Sequence, residues 1–344
     1  MAATYTVGTG KTYSTIQSAV DAVPGDLSGQ GLQTVEVYGK VGPPLNTYTE
    51  YVDARTGFTN ASAADYILIT AMISHGGLET SGIIVTNAVG VGFSMAAYGQ
   101  VEGFNIGPVA HPGGGNAVGV VTGETGATNA NIIHDITCAN RNAFAIQMRN
   151  NAVVYNNICY NIRGNRAIGR SCGILMTALS TVQYLIFNNT VYNVTDIGGA
   201  PAFGVYFEGG GNVADEIRNN AVFNSTNQCY IRNGGNQPIS TNNMSSDATA
   251  TAFGGINHYP NRLAVNQFVN IGAGAEDFHL LGTSECVDNG SGQVNPPVNS
   301  DIDGNARPMG LGYDISADEL VQATINLTNI SLGYERFRKN QVMV

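Results

Sequence analysis

Tryptophan is absent from this 344-residue chain, and lysine and arginine together number only 15. Charged residues of both signs make up 12% of the sequence, and the formal net charge is −10. So few cations cannot neutralise a phosphate backbone, which excludes nucleic acid as a partner and disfavours an anionic membrane surface. No stretch approaches the roughly 18 consecutive apolar residues of a membrane-spanning helix, so insertion into a bilayer is not expected. The opening residues Met1 to Val7 contain no basic segment followed by an apolar run, so no secretory signal is expected there. The five cysteines (Cys138, Cys159, Cys172, Cys229, Cys286) are odd in number and form no CxxC pair, which excludes a zinc ribbon and a complete disulfide framework.

The chain is rich in asparagine and glycine (44 Gly) and 43% hydrophobic, enough apolar matter for a core with many short strands and tight turns. One motif recurs three times: Asn156-Asn157-Ile158-Cys159-Tyr160-Asn161, Asn188-Asn189-Thr190-Val191-Tyr192-Asn193 and Asn219-Asn220-Ala221-Val222-Phe223-Asn224, at spacings of 32 and 31 residues. A near-constant period too short for a domain, with no long amphipathic helix inside it, predicts a solenoid whose unit is one coil of a β-helix. The asparagines then stack at successive corners, where amides can hydrogen-bond along the axis and tolerate left-handed backbone. Asn156, Asn188, Asn219 and Asn242 are expected to form such a structural ladder. Cys159 takes the inward position that Val191 and Val222 hold in the next coils, as a buried thiol.

Residues 12–24 carry apolar side chains at Ile16, Ala19, Val20 and Val23, the helical spacing, with Ser14 or Thr15 to cap the start and Pro24 to stop it. A short helix here is expected to cover the open end of the first coil. The coils are clearest over 130–250. One strand class runs through Ile132 to Asp135, Val154 to Asn157, Ile186 to Asn189, Ile217 to Asn220 and Ser240 to Asn243. The second runs through Ile146 to Arg149, Ile174 to Thr177, Val205 to Glu208 and Cys229 to Arg232. Alternation turns the first and third residues of each second-class strand inward, and all eight are apolar.

The succession of helix and strands at the start resembles that of pectin-lyase-like proteins, including pectinesterases and pectate lyases. The segments Glu276-Asp277-Phe278-His279-Leu280, Cys286 to Gly290, Asp301-Ile302-Asp303-Gly304-Asn305-Ala306-Arg307-Pro308 and Asp314 to Glu319 resemble the closing segment of bacterial right-handed β-helix repeat proteins. The resemblance implies an all-β, right-handed parallel β-helix over 1–319, with a closing segment at 270–319. Beyond it, residues 320–344 form a tail with alternating Ala323, Ile325 and Leu327 and a basic run Arg336-Phe337-Arg338-Lys339, a candidate for docking to another subunit.

Enzymes of this fold work through carboxylates, arginines and calcium on an outer face. The outward rows of the second strand class read Gln147, Leu175, Tyr206, Tyr230 and Arg149, Thr177, Glu208, Arg232. Glu208 and Arg232 are expected to pair across adjacent coils, and no second acid completes a catalytic pair. The tyrosines beside the arginines form a surface column suited to stacking on a sugar or a protein partner, so Gln147, Arg149, Tyr206, Glu208, Tyr230 and Arg232 are the candidate binding residues. His134 and Asp135 fall where other coils have paired asparagines, which suggests a ladder role. Asp301 and Asp303 offer oxygens at the alternation calcium favours, but the distant glutamate of an EF-hand loop is missing. No cofactor is therefore expected, with calcium at Asp301 and Asp303 the alternative. Gly8-Thr9-Gly10-Lys11-Thr12 lacks the leading glycine of a phosphate loop, having Tyr5 in its place.

The expected function is a non-enzymatic structural or adhesive β-helix, foremost a virion component such as a capsid decoration, fibre or tail protein. It would be a homo-oligomer, a trimer by analogy with fibres, contacting a capsid or tail protein or a glycan. A polysaccharide lyase or hydrolase and an exported bacterial surface protein are the alternatives, the latter placing the chain at a cell surface.

Overall fold

The computed structural model describes residues 1–322 apart from 42–44, 79–80, 166, 168, 179–182, 210–214, 235 and 293–295. The segment Ala323 to Lys339, with its alternating and basic residues, lies outside the described residues. The chain winds as a parallel β-solenoid with three sheets of nine, eight and seven strands along its sides. A small antiparallel pair, Phe268–Asn270 with Asp277–Leu280, belongs to the closing segment. The amphipathic stretch near the start is helical over Ile16–Val20 only, with the Thr15 hydroxyl accepting from Ser18 N at 3.1 Å. Glu50 completes that helix start by accepting from the amides of Ile16 and Gln17.

Equivalent residues lie over one another. In the nine-stranded sheet Val154 pairs with Ile186, Ile186 with Ile217 and Ile217 with Ser240. In the eight-stranded sheet Cys159 pairs with Val191 and Val191 with Val222, and all three are fully buried. In the seven-stranded sheet Ile146, Ile174 and Val205 form an inward row, as do Met148, Met176 and Phe207. Each such side chain contributes about 1.5–3 kcal/mol by leaving water, so the rows stabilise the stack coil by coil.

Just before the first inward residue the strands of the seven-stranded sheet need a small one. Gly119, Ala145, Gly173 and Gly204 occupy this place. A Cβ on Gly173 would fall 2.4 Å from Val191 Cγ1 and 2.7 Å from Gly204 O. The neighbouring strand therefore packs against bare backbone at that level.

The asparagine motif divides into three columns with different duties, and this corrects the expected ladder. The axial ladder is the second asparagine of each pair: Asn131, Asn157, Asn189, Asn220 and Asn243, all 0% exposed. Each side-chain amide donates to the carbonyl oxygen of the next, at 3.1 Å for Asn131 to Asn157 and 3.0 Å for the following three steps. The same oxygens accept the backbone N–H of the residue one coil away, so the buried amides are satisfied on both sides.

The first asparagine of each pair holds left-handed backbone, with φ of 53° at Asn156, 51° at Asn188, 56° at Asn219 and 54° at Asn242. Its side chain turns outward to the closing segment. Asn156 donates to Ser300 O, Asn188 to Asp314 O, Asn219 to Ser291 O and Asn242 to Asn289 O. Asn219 and Asn188 also touch along the axis at 3.4 Å, but the column mainly docks the chain end.

Asn131 also realigns the coil before it. Ala130 takes the left-handed corner with φ 51°, and His134 registers with Tyr160. His134 and Asp135 thus correspond to Tyr160-Asn161 and not to an asparagine pair.

The closing segment covers part of the outer face of the eight-stranded sheet. Phe278 packs on Tyr160 and Tyr192 with ring centroids 5.1 and 5.5 Å away, and Phe268 meets Phe223 edge-on. Its own interior is charged: Arg307 Nη1 and Glu319 Oε2 are 2.8 Å apart with both side chains 0% exposed. Arg307 Nη2 donates to the carbonyls of Ser316 and Ala317, while Glu319 accepts from the amides of Met309 and Asp314.

Candidate functional site

The surface column expected on the seven-stranded sheet does not assemble. Tyr230 pairs in register with Val205, one place earlier than the repeat pattern implies, and Ile231 follows Tyr206 in the outward row. Tyr230 is fully buried, and its hydroxyl donates to Asn220 O at 2.7 Å. Arg232 takes the register of Phe207, and Glu208 pairs with Arg170 at 2.7 Å in place of the expected partner. Tyr206 is outward but only 6% exposed. Its ring stacks on Phe203 at 5.0 Å and lies under the Arg170 guanidinium at 4.7 Å. Gln147 shares the row with Leu175 and Tyr206, and Arg149 stands just past the strand Ala143–Met148. With Val118, Phe144, Cys172 and Leu175, these rings form a closed apolar cluster, so this face offers little polar surface.

The eight-stranded sheet offers more. Each of its central strands is bent at a left-handed residue, Asp135 (φ 50°), Asn161 (φ 56°) or Asn193 (φ 56°), which the pairing register skips. Beyond the bend, Thr137, Arg163 and Thr195 form an outward row on three successive coils. The closing segment stops short of this row, where Asn161 Nδ2 donates to Glu276 Oε1 at 3.1 Å. Two adjoining depressions result, of about 360 and 440 Å³, sharing Thr137, Arg163 and Ile197. The first reaches His111, Pro112 and Asn165, and the second Asp135, Asn161, Asn193 and Thr195.

The second depression is lined mainly by amide and hydroxyl side chains and the first mainly by apolar ones, and Arg163 is the cation that the described lining of both shares. Arg163 is exposed and makes no ion pair among the described residues. Among the described residues that line the groove, Asp135 is the single carboxylate. Its hydrogen bond with His134 Nδ1, 2.9 Å away, holds it below the usual aspartate pKa, so it stays ionised and is no proton donor near neutral pH. His134 in turn stacks on Tyr160 and faces Asn105 Oδ1 at 2.8 Å, a buried and fully engaged imidazole. The described lining thus offers hydrogen-bonding groups for a hydroxylated ligand and one carboxylate in place of a pair. The third asparagine of the repeated motif was the sequence signal for it, hidden because all three asparagines look alike as corner residues.

The Asp301-Asp303 loop is organised from within. The Asp301 carboxylate accepts from the amides of Asp303, Asn305 and Glu319 and from Asn305 Nδ2. Asp303 faces away from that knot, with Oδ2 2.8 Å from His279 Nε2. On its other side the His279 ring hydrogen-bonds Asp277. The Asp303 contact first, and then Asp277, raise the imidazole pKa to about 10 against the opposing pull of burial.

No family model matches the chain, and no curated protein matches it. Among solved structures it is similar to a pectin methylesterase from Aspergillus niger, in deglycosylated form, at 14% identity. The match covers 79% of this chain and 91% of that one, with a TM-score of 0.41. At that level the likeness is one of coiling alone.

Proposed function

We propose that this protein is a non-catalytic structural or adhesive β-solenoid whose groove on the eight-stranded sheet holds an extended glycan strand. The observation that carries this is the row Thr137, Arg163, Thr195 between the amides of Asn161 and Asn193 and the aliphatic Ile197. Hydroxyls and amides suit sugar hydroxyls, Ile197 suits the apolar face of a pyranose, and Arg163 favours a strand carrying carboxylates. A single ionised carboxylate supports binding in preference to glycoside cleavage.

The setting we propose is a virion surface, as a decoration, fibre or tail protein, with self-association as a trimer. The low charge and the basic run at 336–339 are in keeping with it.

Binding to an array of acidic and neutral polysaccharides tests the reading. Arg163→Ala is expected to weaken retention of an acidic glycan at least tenfold with the melting temperature unchanged, since Arg163 is exposed. Release of reducing ends or unsaturated uronates from the same glycans would overturn it, as would retention that ignores Arg163.

A further inference from the structure

The closing segment gathers a second constellation, away from the groove residues. His279 Nε2, Asp303 and Asp318 each offer one ligand atom, and these atoms lie within 4.8 Å of one another. They come from three separate stretches: the strand Asp277–Leu280, the loop after Asp301, and the chain just before the end of the described residues. We propose that His279 Nε2 and the carboxylates of Asp303 and Asp318 form a binding site for one divalent first-row transition metal ion of the zinc type, cross-linking the closing segment.

Four observations carry this. The Nδ1 side of His279 is bonded to Asp277, the carboxylate–histidine arrangement that orients an imidazole and leaves Nε2 toward a metal. Asp303 Oδ1 is buried with no hydrogen-bond partner, a lone pair set aimed into the site and otherwise costly to leave unmet. Asp318 is 4% exposed, with one oxygen fixed by the Leu280 amide at 2.7 Å. Gly77, at φ +68°, passes so close that a Cβ there would fall 2.7 Å from His279 Nε2 and 3.3 Å from Asp303 Oδ1.

One imidazole nitrogen with two carboxylates suits zinc, whereas calcium takes oxygen ligands only. On binding, the metal replaces the proton that His279 Nε2 shares with Asp303, and that proton leaves to solvent. The His279 side chain is 30% exposed, which leaves a route for the ion.

The test uses the full chain after chelator treatment, with Zn²⁺ as the probe. About one zinc per chain, retained through gel filtration and raising the melting temperature, is expected. His279→Gln and Asp303→Asn are each expected to weaken zinc at least tenfold, and Asp277→Asn by about 10–100-fold as a positioning residue. Failure of the chain to retain zinc, or retention unaltered in folded His279→Gln or Asp303→Asn, would overturn the proposal. So would calcium displacing zinc at equal concentration. Should the variants not fold, Co²⁺ absorption on the unaltered protein decides: bands of a site with nitrogen and oxygen ligands support the proposal, and an aqua-ion spectrum refutes it.

Discussion

The stacked coils and the closing segment solve the same problem with opposite chemistry. Over 130–250 every coil meets a near copy of itself, so one amide can serve as donor to the coil above and acceptor from the coil below. Neutral asparagines then stack without charge repulsion, and matching rows of apolar side chains fill the interior. The closing segment meets no copy of itself. It is held by particular partners: Arg307 with Glu319, Asp301 with four donors, and the outward asparagines with Ser300, Asp314, Ser291 and Asn289. Repetition can be stabilised by small equal increments, whereas a unique end depends on a few large ones.

That difference is open to attack. The largest effect is expected from Arg307→Met, which leaves Glu319 buried and uncompensated and should cost about 3–5 kcal/mol. Burial lowers the Arg307 pKa, and Glu319 is the largest influence opposing that. Urea unfolding with limited proteolysis should show the segment 270–322 released first while the coils persist. Combining Arg307→Met with Glu319→Leu should recover much of the loss, because the orphaned charge is then gone.

A smaller effect is expected from pH. Burial raises Asp314 to about 7, far above its unfolded value, so the folded protein binds this proton more tightly than the unfolded chain does. Its contribution is complete below the unfolded pKa and is lost as pH rises through about 7. Between pH 5 and 8 stability should therefore fall, on the order of 1–2 kcal/mol after allowance for water reaching the group. Calorimetry across that range checks it, and Asp314→Asn should flatten the profile.

The sequence revealed the repetition and left open the job of each repeated residue. Asn156 and Asn157 are neighbours of the same type, and only the corner geometry separates the one that turns out to Ser300 from the one that bonds to Asn189. The pair in the preceding coil was missed because Ala130 occupies the left-handed corner where an asparagine was expected. The spacing from Asn131 to Asn157, with an aromatic or histidine three residues after each, could have given the correct alignment.

The misplacement of Tyr230 has a similar cause. Alternation is satisfied equally by Cys229 with Ile231 turned inward, while the true register sets Cys229 beside Gly204 at the small-residue level. There the seven-stranded sheet ends, and Phe253 closes over Tyr230 and Phe207 from the chain that follows. The groove was illegible because it is made by what the closing segment leaves uncovered, a long-range fact that no local period encodes. The closing motif itself was recognisable from Asp301 to Glu319, but its buried ion pair joins residues 12 apart without periodicity.

The most direct measurement is amide hydrogen exchange on Asn189→Ala beside Asn219→Gly. Loss of Asn189 should orphan the Asn157 amide and take one donor each from the carbonyls of Val154 and Phe187, costing about 2–3 kcal/mol. Exchange should rise in the coils on either side of it. Asn219→Gly keeps the left-handed corner and should raise exchange mainly around Ser291. Equal and local effects from the two substitutions would contradict the division of the asparagines into an axial spine and an outward dock.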